Sequence, residues 1–413
     1  MHGTVEDQVA VLMRGSEFGD PKIKAVMTQE LRERLSGAQA KGHPLRVYCG
    51  YDATRPDLHL GHTITLRKLR QFQDFGHEAT FLIGDFTTRV GDPSDRDGLR
   101  PQLSEDEIAE NARTYAEQAV KILDPKRTRV RYNSEWLAQL DLVDSIQIAS
   151  RFTVQQFLAR ENFQARFERR DPIWLHELFY ALFQGYDAVA LRTDVQLGAT
   201  EQLFNLLAGR KLQEAFGQRP QVCITFPVLV GTDGHTRMSK SAGNYIGIAE
   251  PPEVMYGKVM SIPDEAMSSY FRLVTRWTAE HVAQLEADLA AGRLHPMEAK
   301  KKLAWEIVDC YHDSDAADAA ARHFERVHQQ HKLPEEMPKF PMGEPMAIPE
   351  LLVATGMCQS KSQGRRLVQQ GGVKIDGKPV ESVDDVVTPG QMVLQVGRRR
   401  FVHLVPLGLV PPG

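Results

Sequence analysis

Two short strings hold the densest chemistry in the chain, His59-Leu60-Gly61-His62 and Arg237-Met238-Ser239-Lys240-Ser241. Two imidazoles around a glycine can donate N–H groups to phosphate oxygens, and the glycine leaves bare backbone for a flat ring to lie against. The second string sets two cations and two hydroxyls between Gly234 and Gly243, a composition suited to a loop that closes over a polyphosphate. Either string alone occurs often by chance. In this order, about one nucleotide-binding domain apart, they imply phosphates handled from two sides.

A third group is a stripe. Tyr180, Gln184 and Asp187 stand at i, i+4 and i+7 in a segment of helical period, hence on one face. Burying such groups on a mainly apolar helix costs free energy unless something bonds to them, either neighbouring backbone or a ligand. Downstream, Asp194-Val195-Gln196-Leu197-Gly198-Ala199-Thr200-Glu201-Gln202 reads as strand, small-residue turn and helix start. It offers a carboxylate and amides of the kind that suit a ribose or a substrate amide. Gly91-Asp92-Pro93-Ser94 brings another acid near strand ends.

These side chains need a frame. The run Arg46 to Asp52 is strand-like and leads into the first string, after which a helix is expected from Thr63 to Phe75. A helix N-terminus there would attract anions. Further strands are expected over 79–84 and 222–230, and Ser104 with Glu107 makes a capping box for the helix between them. The alternation over 45–249 predicts an α/β fold, a Rossmann-type doubly wound parallel sheet with ligands beyond its strands' carboxyl ends. Residues 1–44 read as a helical segment and 250–331 as an α-helical domain. Prolines 334, 338, 341, 345 and 349 predict a linker over 332–345, and 346–413 reads as a small α+β domain.

Length and composition bound the rest. At 413 residues, two or three domains are expected. A net charge of −4 gives no global nucleic-acid signal, so RNA contact must come from local basic patches. Four cysteines lie singly at 49, 223, 310 and 358, which argues against a structural zinc site and a disulfide framework and fits a reducing cytosol. No apolar run approaches the ~18 residues of a membrane span, so a cytoplasmic location without membrane partners is expected.

The chain resembles the bacterial tyrosyl-tRNA synthetases, a class I family, over nearly its whole length. The resemblance rests on Tyr48-Cys49-Gly50-Tyr51-Asp52-x-Thr54, the His59 string, Gly84-Asp85-Phe86-Thr87, Gly91-Asp92-Pro93-Ser94, the Tyr180 stripe and Gln196. It implies activation of L-tyrosine by ATP with Mg²⁺ assisting, and transfer of tyrosyl to tRNA(Tyr). Asp187 and Tyr48 would then bond the phenolic hydroxyl, while Thr87, Asp92, Tyr180 and Gln184 hold the α-ammonium. Gln196 would lie near the carboxyl and α-phosphate. Thr54, His59 and His62 would meet ATP phosphates, and Arg237 and Lys240 the departing pyrophosphate. Gly61 would lie under adenine, and Cys49, Thr65 and Glu201 would face the ribose, with Asp52, Ala199, Met238 and Ser239 completing the nucleotide site. A homodimer joined through roughly residues 125–170, with tRNA bridging the subunits, is also implied.

The chain departs from the family pattern at five positions. Arg237 and Ala53 stand where Lys and Pro are common, Asp95 and Ala199 where Gly is, and Glu201 where Asp is. These bear on rate and ATP affinity more than on amino-acid choice. Residues 360–378, with the Gly371-Gly372 pair expected in a hairpin, resemble the S4-type RNA-binding fold. Residues 346–413 hold eight Lys or Arg against five Asp or Glu, a net of +3. Lys361, Arg365, Arg366, Lys374, Arg398, Arg399 and Arg400 are the expected RNA contacts. Two other readings share these features: a tryptophan-activating relative, which would lack the Tyr48 and Asp187 pair, and a non-enzymatic RNA-binding regulator built from a retired synthetase.

Overall fold

The computed structural model describes residues 3–94, 103–240, 242–329, 337–397 and 400–407, in two compact units, 1–317 and 318–413. Five parallel strands form the centre of the first unit: β1 (Arg46–Tyr51), β2 (Glu78–Ile83), β3 (Thr128–Tyr132), β4 (Val195–Ala199) and β5 (Val222–Phe226). Their order is β3-β2-β1-β4-β5. The β1 strand therefore pairs with β2 on one side and β4 on the other, and the winding reverses beside it. At such a reversal the connecting loops leave in opposite directions and open a crevice past the strand ends. Four of the strands are largely buried, as helix-covered parallel strands must be, and β5 is buried at every residue; the edge strand β3, with Arg129 and Arg131, has no buried residue.

Two local features fix how the site-bearing segments leave the sheet. The helix after β1 runs Leu60–Asp74, three residues earlier than the periodicity predicts, because His59 is its N-cap. The His59 Nδ1 accepts the Gly61 N–H at 3.2 Å, and the His62 Nδ1 accepts the His59 N–H at 3.2 Å. The two histidines thus satisfy donors that a helix start leaves unpaired. The helix bearing the Tyr180 stripe runs Leu175–Leu191 and packs closely on the helix Leu203–Ala215. A Cβ on Gly185 would lie 3.0 Å from Leu212 Cδ1 and 3.1 Å from the Gly209 nitrogen, so glycine sets the approach. Beyond the sheet, helices over 252–260, 267–274, 279–290 and 296–311 make the expected helical region.

In the second unit the sheet has the order β6-β12-β11-β8-β9, built from β6 (Lys339–Met342), β8 (Val373–Ile375), β9 (Lys378–Pro379), β11 (Met392–Val396) and β12 (Arg400–Pro406). A short pair joins β7 (Met346–Ala347) to β10 (Val386–Val387). Ile348, Leu351, Leu352, Leu394 and Leu404 are buried at its core with Met342. Two expectations are corrected. The linker expected over 332–345 ends early, because Lys339–Met342 is strand β6, paired with β12 from His403 to Pro406. Pro341 is tolerated because β6 is an edge strand. The Gly371-Gly372 pair makes no hairpin but ends the helix Lys361–Gln369, their N–H groups reaching the carbonyls of Val368 and Leu367. The hairpin turn is Asp376-Gly377, between β8 and β9. Residues 330–336, with Pro334, lie outside the described residues.

Overpacking a well-filled helix contact costs about 1–3 kcal/mol. Gly185→Val is expected to lower stability by that amount, read as a reduced urea unfolding midpoint, because it forces its own helix away from the helix Leu203–Ala215.

Candidate active site

The loops after β1, β2, β3 and β4 converge with residues 226–240 on one cleft of about 930 Å³. All twenty residues expected for catalysis, amino-acid binding and nucleotide binding line it.

At its inner end the helix Leu175–Leu191 buries Asp187. Trp136 Nε1 donates to one carboxylate oxygen at 2.8 Å and Asn133 Nδ2 to the other at 3.3 Å. Burial pushes the Asp187 carboxyl well above its usual range, and these two donors oppose that shift. On β1, the Tyr48 hydroxyl is fully buried and has no hydrogen-bond partner in the structure. Burial first, then the Asp187 charge, raise its pKa, so it stays a protonated donor. An orphaned donor with a buried carboxylate in the same pocket is costly unless a ligand completes it.

Next along the cleft, acceptors cluster. Thr87 Oγ1 donates to one oxygen of Asp52 at 2.8 Å, and the Tyr180 hydroxyl to the other at 3.1 Å. Gly84 is required beneath them, since a Cβ there would lie 2.3 Å from Asp52 Oδ1 and 2.4 Å from Thr87 Oγ1. Asp92 accepts from Gln202 Nε2 at 2.6 Å, and Gln184 Oε1 accepts from Asn205 Nδ2 at 2.9 Å. Two carboxylates and an amide oxygen suit a bound ammonium. Asp52, expected with the nucleotide, accepts hydrogen bonds from Tyr180 and Thr87, both expected at the ammonium.

At the outer end the imidazoles of His59 and His62 lie 3.9 Å apart. Each Nδ1 already accepts a backbone N–H, so each neutral ring carries its proton on Nε2. Burial, followed by the charges of Lys240 and Arg237, lowers the His59 pKa to about 3. Burial also holds His62 well below its ordinary value. Both are neutral donors. Lys240 donates its Nζ to the Asp57 carbonyl and sits 5.8 Å from the Tyr115 ring centroid, and burial lowers its pKa to about 8. Arg237 pairs with Glu201 at 2.7 Å.

The loop that carries these cations is pinned by Asn244. Its Nδ2 donates to Asp233 and to the Thr236 and Arg237 carbonyls, and its Oδ1 accepts the Ser239 N–H at 2.8 Å. Gly231 leaves the space this needs, since a Cβ there would fall 2.2 Å from Asn244 Cγ. The Met238 N–H bonds the Leu229 carbonyl.

The other expected residues fill the walls. Cys49 is buried, its thiol raised by burial to about 11 and so protonated. Thr65 Oγ1 bonds the Tyr51 hydroxyl at 2.7 Å, Gln196 accepts from Gln221, and the Thr54 N–H reaches the Asp52 carbonyl. Asn133, Trp136, Tyr115 and Asn244 were not anticipated. A signal for the first two was present, because Asn133 to Trp136 directly follow the carboxyl end of a parallel strand, where ligand-facing groups collect. In the second unit Arg365 and Arg366 are exposed on one helix, Lys361 is exposed and pairs with Glu350, and Lys374 lies on β8. Arg400, expected at RNA, gives one guanidinium N–H to the Met357 carbonyl. Asp95, Ser241, Arg398 and Arg399 lie outside the described residues.

Residues 40–329 match the family model described as tRNA synthetases class I (W and Y), and residues 348–393 match that of the S4 domain. The chain belongs to the class I tRNA synthetases of this W and Y family. It is 49% identical over 402 residues to a tyrosine–tRNA ligase of Moorella thermoacetica, covering 97% of each chain. It is 47% identical over 402 residues to that of Thermotoga maritima, covering 97% of this chain and 98% of the relative. The fold is similar to the tyrosyl-tRNA synthetase of Archaeoglobus fulgidus solved with L-tyrosine (TM-score 0.61, 23% identity, covering 77% and 100% of the two chains). It is likewise similar to a C-terminally truncated mitochondrial tyrosyl-tRNA synthetase of Aspergillus nidulans (TM-score 0.61, 20% identity, 80% and 94%).

A folded-state pKa far below the usual ~6.5 keeps these imidazoles neutral throughout the working range. In nitrogen-15 NMR of the ligand-free synthetase, His59 and His62 are expected as neutral, Nε2-protonated rings that do not titrate between about pH 5 and pH 8. A ring that gains a proton in that window would contradict the geometry.

Proposed function

We infer that the chain is a tyrosine–tRNA ligase. It joins L-tyrosine to ATP as tyrosyl-adenylate with release of pyrophosphate, then passes the tyrosyl group to the terminal ribose of tRNA(Tyr). The observation that carries the amino-acid choice is the buried, unpartnered Tyr48 hydroxyl in the pocket of Asp187. A phenol satisfies both at once, donating to Asp187 and accepting from Tyr48. An indole N–H offers a donor but no acceptor and leaves Tyr48 orphaned.

In the first step a tyrosine carboxylate oxygen attacks the α-phosphorus, and the bond to the β-phosphate oxygen breaks. No protein nucleophile is required. Asp52, Asp92 and Gln184 hold the ammonium and so aim the carboxylate. Charge grows on the departing pyrophosphate, where the Nε2–H groups of His59 and His62 and the cations of Arg237 and Lys240 stabilise it. Lys240 must leave the Asp57 carbonyl to do this. In the second step a hydroxyl of the terminal ribose attacks the carbonyl carbon and AMP leaves. Magnesium would enter on the ATP phosphates; among the described residues no three His, Cys, Asp or Glu converge to hold it.

The pairing of two copies through 125–170 is favoured by Leu142, Val143, Ile146 and Val154, apolar side chains exposed there in the single chain. No described helix is long and apolar enough to cross a membrane, and we place the reaction in the cytoplasm with the rest of translation.

ATP–pyrophosphate exchange that requires tyrosine tests the reading. A site built to bond a hydroxyl rejects the analogue lacking it by ~10⁴–10⁵-fold, a range whose worked case is tyrosine activation itself. Phenylalanine is therefore expected to support little exchange, and Asp187→Ala to lose both activity and discrimination. Equal exchange with the two amino acids would refute it.

The second unit has its own core and a cationic surface, so we assign it to tRNA. A chain ending at Gln329 is expected to retain tyrosine-dependent exchange and charge tRNA poorly. Loss of tRNA binding with rising salt should be steep for the intact chain and shallower once Arg365 and Arg366 are neutralised. Loss of exchange in the shortened chain would show that the unit supports the fold.

A further inference from the structure

Arg237 and Glu201, both in the candidate nucleotide site, are joined to each other by an ion pair. They come from separate segments that line the cleft, Arg237 from the Asn244-pinned loop and Glu201 from the turn after β4. The guanidinium Nη1 lies 2.7 Å from the carboxylate Oε1, with the side chains 41% and 20% exposed. Glu201 lines the cleft where a ribose is expected, and the loop is held from a second side by Lys240 on the Asp57 carbonyl.

We propose that Glu201 is an exchange partner: it holds Arg237 in the empty enzyme, and the nucleotide ribose takes the carboxylate over and releases Arg237 to the phosphates. Glu201 thereby acts as a positioning residue for Arg237. The inference rests on the ATP-dependent function above. Two consequences follow from competition for one carboxylate. The pair opposes ribose binding in the ground state, and Arg237 reaches the pyrophosphate only after the ribose is seated, so release of the cation is tied to a correctly bound nucleotide. The pair is partly exposed, and exposed ion pairs are typically worth a few-fold in an equilibrium constant, so the effect is small and measurable.

Adenosine is the decisive probe, because it has the ribose and no phosphate for Arg237 to touch. Its dissociation constant is measured by competition against ATP in tyrosine-dependent exchange and by direct calorimetry on the full chain. Arg237→Met is expected to tighten adenosine by about threefold while lowering the kcat of exchange with ATP. The tightening is expected to vanish in the Glu201→Gln background and for 2′,3′-dideoxyadenosine, and to shrink as salt is raised. Calorimetry reports these affinities even in a variant too slow to assay. Adenosine binding that is unchanged or weaker in Arg237→Met, or tighter by the same factor with Glu201→Gln, overturns the exchange while leaving the ligase reading intact. An unmutated chain without tyrosine-dependent exchange overturns both.

Discussion

A carboxylate taken out of water has to be held, and in this protein much of the polar lining at the inner end of the cleft holds Asp187. The residue is buried behind the carboxyl edge of the sheet, where an isolated charge would cost several kcal/mol. Trp136 and Asn133, both from the turn after β3, supply the donors. Asn133 is fixed in turn by Thr87 and by the Phe86 N–H, both from the helix after β2. Two strand ends, those of β2 and β3, and the helix that carries Asp187 must therefore keep register for a single side chain to be tolerated. The strands' register is set by the parallel ladder between β2 and β3, which puts Ile83 opposite Tyr132. The polar group proposed to meet the substrate thus also constrains the backbone around it.

The nucleotide end follows a different logic. There the protein offers donors in place of a buried charge. His59 and His62 cap a helix and are kept neutral by burial, and that same capping leaves each Nε2–H free to face a ligand. Neutral donors bind a polyphosphate without the cost of ionising two adjacent rings. The cations stand apart, on a loop whose shape comes from Asn244 and whose charges are held on Asp57 and Glu201. Separating fixed neutral donors from relocatable cations places the strongest electrostatic contribution where charge changes most during reaction.

The RNA-facing unit solves an edge problem as well as a recognition problem. Its sheet would end at β12, and β6 covers that edge with a strand carrying Pro341. The strand belongs to a stretch whose proline content reads as linker. Proline density reports only what a segment cannot do in a helix or central strand, and an edge strand lies outside that exclusion.

Much of the fold and site was legible in the chain alone, for reasons tied to particular residues. Alternating strand and helix patterns gave the wound sheet, because parallel strands must be apolar and helices must show one apolar face. The His59 string, the Tyr180 stripe and the Gln196 segment stand out as candidates because their chemistry is local, neighbours in sequence sharing one helix face or one strand end, while the roles proposed for them came from the family resemblance. What sequence could not supply was pairing across distance. That Asp52 bonds Tyr180, that Trp136 holds Asp187, and that Arg237 meets Glu201 depends on where five strand ends converge. The start of the helix at Leu60 and the strand at Lys339–Met342 were likewise decided by hydrogen bonds, one set made by imidazole side chains and the other by a strand more than sixty residues away. Local periodicity is written into the chain, whereas the partners of buried polar groups are chosen only when the layers close and each donor must find an acceptor.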